Sequence, residues 1–447
     1  MSSKTINFEA FRPIVQFIQK SSFSSILLFF SAFMALVLAN SPAHGFIQDL
    51  LGQKLGFSIG DFKVYKPLQL WINDGLMSIF FFVVGLELKR ELIAGELSNP
   101  KNVLMPIVAA IGGMLVPASI FYLINHSNEF ECLNGWGIPM ATDIAFALGV
   151  LYLLGPKVPI QLKVFLTALA IIDDIGAISV VAIFYSSEIS LINLGIGASI
   201  LGLMFLLNRM GVRNVLIYAI LGIGGVWLAF LLSGVHATIA AVLSAFAIPA
   251  TRSIDKDKYI STLSDLKLNF EKAKASEKEE FLLSPDEENI IGEIRRISND
   301  AISPLQTLER SMHSFVLYVV MPIFALANAG LVIDGNWATM LMSDVSLGVI
   351  FGLIGGKFIG VFGLSMLGLK LGWFKMPPNL TIPMLAGVSF LAAIGFTMSL
   401  FITSLAFENE LYVEQAKMGI LTGSLIAGFI GYFILKYAIN SSTKTNA

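Results

Sequence analysis

Residues 159–186 read Pro-Ile-Gln-Leu-Lys-Val-Phe-Leu-Thr-Ala-Leu-Ala-Ile-Ile-Asp-Asp-Ile-Gly-Ala-Ile-Ser-Val-Val-Ala-Ile-Phe-Tyr-Ser. About 20 mainly apolar residues let a helix cross a bilayer. This stretch is long enough, and it lacks the strict alternation of a barrel strand, so it reads as a membrane helix. Asp173 and Asp174 stand near its middle. An ionised side chain at that depth costs at least ~2.5–3.5 kcal/mol on insertion scales. Such residues are kept when they do something.

Working outward, similar apolar stretches fall near 22–40, 69–88, 104–125, 133–154, 190–208, 213–232, 234–250, 314–332, 345–369, 382–406 and 414–437. With 159–186 they make about twelve spans, so the fold class is an all-α polytopic membrane protein. Composition agrees: 55% of the 447 residues are hydrophobic and only 13% are Asp, Glu, Lys or Arg, against roughly 25% charged in soluble domains. Of these charges, 21 lie between Arg252 and Asp300. The pattern excludes a soluble enzyme, a disordered chain and a nucleic-acid binder. Cys132 is the sole cysteine, which excludes an internal disulfide and a multi-thiolate metal site.

Lysine and arginine set the orientation, because they concentrate in cytoplasmic segments. With the N-terminus inside, 24 fall in inside segments, 4 in outside segments, and Lys357 lies within a span. Both termini are then cytoplasmic. The chain divides into a cytoplasmic segment 1–21, spans 1–8 over 22–250, a charged cytoplasmic insertion 251–313, spans 9–12 over 314–437, and a tail 438–447. The first span reads as an uncleaved helix rather than a secretory signal. Residues 9–20 read either as a surface amphipathic helix or as a polar terminus. Residues 55–65 alternate around Gly60-Asp61, which suits an outward β-hairpin. Its edge could pair with another subunit or merely cover its own helices. The insertion reads as solvated, with Ser264–Glu280 able to form helix.

The remaining intramembrane polar groups cluster in a few motifs. Adjacent helix positions point about 100° apart, so Asp173 and Asp174 face a cavity and its wall. Burial and like-charge proximity both favour the protonated carboxyl, and oxygen-only ligands suit hard cations such as sodium, lithium or calcium. A site that holds either a proton or a cation is the minimum machinery for exchange; the competing reading is a pair of structural hydrogen bonders. Gly135, Gly137, Pro139 and Thr142 make the span around Asp143 a poor continuous helix. Asp143 could neutralise the N-terminal dipole end of a half-helix, reach the cation, or act as a plain cap. The span 382–406, with Gly387, Gly395, Thr397 and Ser399, looks like its partner. Two interrupted spans in corresponding halves point to a transporter site, with spans 3–5 and 10–12 as the paired repeats. Lys357 seeks a carboxylate, Asp173 by preference, or balances negative half-helix ends. His236 reads as a hydrogen-bonded structural residue or a proton switch. Asp74 reads as an interfacial cap. Glu87, Lys89, Arg90 and Glu91 form either an interfacial anchor or a pH-responsive network.

Taken in order, Val84-Gly-Leu-Glu-Leu-Lys-Arg-Glu91, Thr142-Asp-Ile-Ala-Phe-Ala-Leu-Gly149, Ala170-Ile-Ile-Asp-Asp174, Ser233-Gly-Val-His-Ala-Thr238, Phe324-Ala-Leu-Ala-Asn-Ala-Gly330 and Ile394-Gly-Phe-Thr-Met-Ser399 resemble the NhaA-type sodium/proton antiporters. That family is itself a standard example of inverted-topology repeats. The resemblance runs from about residue 20 to 437, apart from 252–303. It implies two discontinuous helices crossing near the midplane, and electrogenic export of sodium or lithium against a larger number of protons. It implies activation at alkaline pH and a homodimer helped by the hairpin. By resemblance, Asp173 and Asp174 bind the ion and carry protons, Thr142 and Asp143 lie in the unwound span beside them, and Lys357 pairs with Asp173. Glu87, Arg90, Glu91, Glu309 and His313 match positions linked to pH response. Arg310 departs from the pattern, standing where the best-known members carry histidine.

The sequence therefore reads as a sodium/proton antiporter of the bacterial inner membrane, contributing to pH and sodium homeostasis. It is not an enzyme, it needs no cofactor, and it has the bilayer and a second copy of itself as partners. The alternatives are a sodium-coupled solute symporter of related architecture and, more remotely, an intramembrane aspartyl protease pairing Asp143 with Asp174.

Overall fold

A computed structural model of the chain describes residues 21–59, 62–98, 100–186, 189–275, 282–333, 335–445. The N-terminal stretch 9–20 and the Gly60-Asp61 turn lie outside these residues. The first helix, α1 (Ser21–Ala39), ends where Asn40 turns back, its amide donating to Leu36 O at 2.8 Å and to Leu331 O at 2.8 Å. A shorter helix, α2 (His44–Gly52), bends away from it by 109°. The expected hairpin follows as β1 (Lys54–Ile59) and β2 (Phe62–Pro67), antiparallel, with Phe57 opposite Val64. Trp71 Nε1 donates to Leu55 O at 2.9 Å and fastens the hairpin to the next helix. That helix passes through a π-helical turn, Trp71–Leu76, into α3 (Met77–Ala94).

The bundle continues with α4 (Pro100–Asn125), a 3-10 segment Asn134–Met140, α5 (Ile144–Leu153), α6 (Ile160–Phe184), α7 (Leu191–Arg209), α8 (Val215–Ser233) and α9 (Ala237–Ala247). After α10 (Lys256–Ala275) and α11 (Pro285–Asp300) come α12 (Pro304–Asn328), α13 (Asp344–Lys370), α14 (Ile382–Leu391), α15 (Phe396–Ala406) and α16 (Glu410–Thr445). Among the described residues eight helices are long and apolar enough to cross a membrane, and two bent pairs raise the number to ten. The segment 68–94 and α9 lie at the other two expected stretches, and neither counts among those ten.

Two expected spans change shape. The eighth, expected over 234–250, is helical only over Ala237–Ala247. Gly234, in the left-handed region at φ 79°, closes α8 ahead of it, and Pro249 follows. At ~1.5 Å per residue so short a helix does not span a bilayer by itself. Its last carbonyls are held from outside: Lys89 Nζ donates to Phe246 O at 2.6 Å and Ile248 O at 2.5 Å, and Asn208 donates to Ala247 O at 2.8 Å. The helix that carries the ninth span, expected from 314, already begins at Pro304, because Ser303 and Gln306 form a capping box there.

The described residues of the insertion 252–303 form two helices, and residues 276–280 of the expected helix Ser264–Glu280 lie outside the described residues. Helix α10 starts at Lys256 and a second helix, α11, follows it, opened by a Ser284–Glu287 capping box. Leu266 of α10 and Ile297 of α11 are both buried, and Tyr259 of α10 meets Ser298 of α11 at 3.2 Å. Ser253 N donates to Asp300 O at 2.9 Å, which closes the base of this helical hairpin.

Candidate functional site

Two spans are interrupted halfway, and they cross. In one, the 3-10 segment ending at Met140 gives way to extended Ala141 before α5 starts. Pro139 and the glycines at 135 and 137 keep this stretch out of regular helix. In the other, α14 ends at Leu391 and α15 starts at Phe396, bent by 44°. The two breaks are stitched together by Asp143 N donating to Ile394 O at 2.7 Å.

Each broken helix leaves free amides at its N-terminus and free carbonyls at its C-terminus. Asp143 caps α5, accepting from Phe146 N at 3.0 Å through Oδ1. Its other oxygen, Oδ2, accepts from Thr397 N at 3.1 Å and from the Thr397 hydroxyl, so it also caps α15. A buried carboxylate between two positive helix ends is favourably placed. Gly395, at the start of α15, has no side chain to do this itself, and Ser424 of α16 accepts from Phe396 N at 3.2 Å. The carbonyl ends find hydroxyls. Thr142 Oγ1 lies 2.8 Å from Ala392 O, and Ser399 Oγ donates to Ile138 O at 2.7 Å.

Beside this crossing stand α6, with Asp173 and Asp174, and α13, with Lys357. All three side chains are buried. The Lys357 ammonium donates to Asp173 Oδ2 at 2.5 Å and to Thr142 Oγ1 at 2.9 Å. The Thr142 hydroxyl lies 2.7 Å from that same carboxylate oxygen. Two further oxygens, Asp173 Oδ1 and Asp174 Oδ1, are buried and have no hydrogen-bond partner. Unpaired buried oxygens are costly, and a proton or a small hard cation would satisfy them. Among the described residues no group of three or more His, Cys, Asp or Glu is gathered to hold a metal ion. A cation here would be held by two carboxylates with hydroxyl or carbonyl help. Lys357 is flanked by two π-helical stretches, Gly352–Gly356 and Phe358–Gly363; such wide turns often mark functional positions.

The second group of candidates meets at the end of α3. His313 Nδ1 lies 2.9 Å from Glu87 Oε1, Arg90 pairs with Glu309 at 2.8 Å, and Arg90 also reaches Glu91 at 2.7 Å. Arg310 is exposed and stands outside these pairs. Asp74 forms an ion pair with Lys66 of β2 at 2.9 Å and caps no helix. His236 departs from the hydrogen-bonded reading: its Nδ1 is buried without a partner, and its ring stands edge-on to Phe401 at 6.1 Å between centroids. Lys89, part of the charge motif, works instead as the clamp on α9. The backbone contacts of α4 with α13 were not foreseen, although Gly352, Gly356 and Gly360 recur every four residues, a known spacing for close helix packing.

Residues 15–435 match a protein family described as Na+/H+ antiporter 1. Among curated proteins, the chain is 46% identical over 435 residues to a Na+/H+ antiporter NhaA of Oleidesulfovibrio alaskensis, covering 97% of this chain and 96% of that protein. It is 43% identical to NhaA 1 of Saccharophagus degradans, over 95% of this chain and 91% of that one. It is also 43% identical to NhaA of Wolinella succinogenes, over 97% and 95% respectively.

Proposed function

The chain belongs to the Na+/H+ antiporter 1 family, and we propose that it exports sodium or lithium from the cytoplasm in exchange for protons at the Asp173–Asp174 pair. The observation that carries this reading is the buried ion pair of Lys357 with Asp173, beside two carboxylate oxygens that lack partners. In the cycle, the inward-facing site at alkaline pH holds both carboxylates ionised. Sodium binds them and displaces the ammonium from Asp173. The loaded site switches outward, sodium leaves, and protons neutralise the carboxylates for the return. Competition of proton and cation for one pair of groups couples the fluxes. The proton gradient supplies the free energy, so the protein is a transporter without a cofactor and not an enzyme. Because more protons enter than cations leave, the exchange is electrogenic.

Asp143 and Thr142 hold the crossing in shape, and Thr142 adds a hydroxyl next to Asp173. Glu87, Arg90, Glu91, Glu309 and His313 form the pH-responsive cluster at the inner face. The protein is multi-pass; the lysine and arginine bias supports both termini and the 251–313 segment facing the cytoplasm of a bacterial inner membrane. The hairpin's unpaired edges support a homodimer. The protease alternative fits poorly, since both Asp143 oxygens are occupied by helix N-termini, and nothing in the site favours a solute symporter.

The test uses everted membrane vesicles with a respiration-generated pH gradient. Adding sodium or lithium should collapse the gradient, and Asp173→Asn and Asp174→Asn should each abolish the collapse. Full collapse in both variants would refute the assignment of the site.

A further inference from the structure

The Thr142 hydroxyl is where the crossing touches the ion pair. Its oxygen accepts from Lys357 Nζ at 2.9 Å and lies 2.7 Å from Asp173 Oδ2 and 2.8 Å from Ala392 O. A hydroxyl has one proton and two lone pairs, so the proton serves either Asp173 or Ala392. When it points to Ala392 O, Thr142 and Asp173 present two bare oxygens 2.7 Å apart. The Lys357 ammonium donates to both, and so already stands where a cation is held between them. When the proton turns to Asp173, the two oxygens close on each other and sodium has to break their bond. The availability of the Ala392 carbonyl therefore decides how open this pair is to a cation.

That availability depends on a residue outside both broken spans. In a continuous helix the amide of residue 396 donates to the carbonyl of residue 392. Here Phe396 N donates instead to Ser424 Oγ of α16, at 3.2 Å. Ser424 is buried, and α16 lies close on either side of it. A Cβ on Gly423 would be 3.2 Å from Leu353 Cδ1, one turn before Lys357, and one on Gly428 would be 3.5 Å from Ile394 Cδ1. We propose that Ser424 is a positioning residue for the cation site: by taking the Phe396 amide it leaves the Ala392 carbonyl to the Thr142 proton, and the Thr142 oxygen to the cation. Without the serine hydroxyl the buried Phe396 amide lacks a partner, which is costly, and the helical bond to Ala392 O is the repair open to it. Thr142 is then left with Asp173 as its acceptor. The proposal rests on the exchange mechanism proposed above.

The experiment measures sodium-dependent proton exchange in liposomes as a function of sodium concentration, for the full chain at one alkaline pH. Ser424→Ala should raise the apparent KM for sodium at least about fourfold, the scale of one hydrogen bond, with the maximal rate at saturating sodium kept within about twofold. Ser424→Thr keeps the hydroxyl and should bring the KM back to within about twofold of wild type. A merely structural serine would lower the rate or the yield of protein without this split, and threonine would serve it no better than alanine. A smaller rise in KM for Ser424→Ala, or a KM that stays as high in Ser424→Thr, overturns the proposal. Should Ser424→Ala fail to assemble, Ser424→Cys has a similar size and only a weak acceptor, and it carries the same expectation and the same refutation. Wild type and Asp173→Asn are run in parallel. If wild type does not exchange, or Asp173→Asn keeps the wild-type KM, the underlying mechanism fails. If both behave as expected and Ser424→Ala matches wild type, the positioning role alone fails.

Discussion

The Lys357 ammonium and the Asp173 carboxylate meet at 2.5 Å with both side chains fully buried. Removing one member of such a pair strands the other charge, at a cost of roughly 3–5 kcal/mol, whereas replacing both with neutral groups is far cheaper. Lys357→Met should therefore lower the thermal unfolding midpoint clearly in detergent. Lys357→Met with Asp173→Asn should recover most of that loss while remaining unable to exchange sodium for protons. Equal destabilisation by the single and double variants would show that the pair is not what holds the two helices together.

Asp143 caps two helices that start 252 residues apart in sequence, at Ile144 and Phe396. A lost cap costs about 0.5–2 kcal/mol, so Asp143→Ala, which loses both, should cost about 1–4 kcal/mol. Asp143→Asn keeps an acceptor oxygen and should cost less. Urea or thermal unfolding of the purified variants orders them; equal stability of Asp143→Ala and wild type would contradict the double-cap description.

The contact between Glu87 and His313 joins α3 to α12 at the charge cluster. An imidazole changes charge between about pH 5 and 8. Below that range the pair carries opposite charges and ties the helices; as pH rises the histidine becomes neutral and the tie weakens. If this tie restrains transport at low pH, Glu87→Gln should move the pH–activity profile toward acid, by about half a unit or more. Exchange rates from pH 6.5 to 9 provide the check, and an unchanged profile would remove this pair from pH control. Arg310→His should change the profile less, because residue 310 points to solvent.

Ser253 N and Asp300 O are 2.9 Å apart at the base of the α10–α11 hairpin, so the bundle closes without what lies between. Joining Ser253 to Asp300 through a two-glycine linker should leave sodium-dependent exchange within about threefold of wild type in vesicles. Loss of exchange with normal protein levels would place part of the transport machinery in the insertion.

Much of this architecture is legible in the chain. Span lengths follow from apolar runs, and the interruption before Asp143 follows from Gly135, Gly137 and Pro139. Thr397 and Ser399 could be placed at mid-membrane, and the charge on Lys357 required a buried partner. What could not be read were relations across long separations. Nothing local says that the Thr397 hydroxyl and amide serve Asp143, 254 residues away, or that Gly112 meets Gly360 backbone to backbone. Helix α11 is a different case: its Ser284-Pro-Asp-Glu start is a local signal, and polarity outweighed it. The shortening of α9 depends on Lys89 and Asn208 supplying caps from two other helices, which composition does not show.

The central claim is that sodium and protons compete for Asp173 and Asp174. Calorimetric titration of sodium into the purified protein at pH 8, repeated in buffers of different ionisation enthalpy, counts the protons released per sodium bound. The account predicts net proton release that grows as pH is lowered toward neutrality, with no sodium binding in Asp174→Asn. Sodium binding with no proton release at any pH between 6.5 and 9 would contradict it.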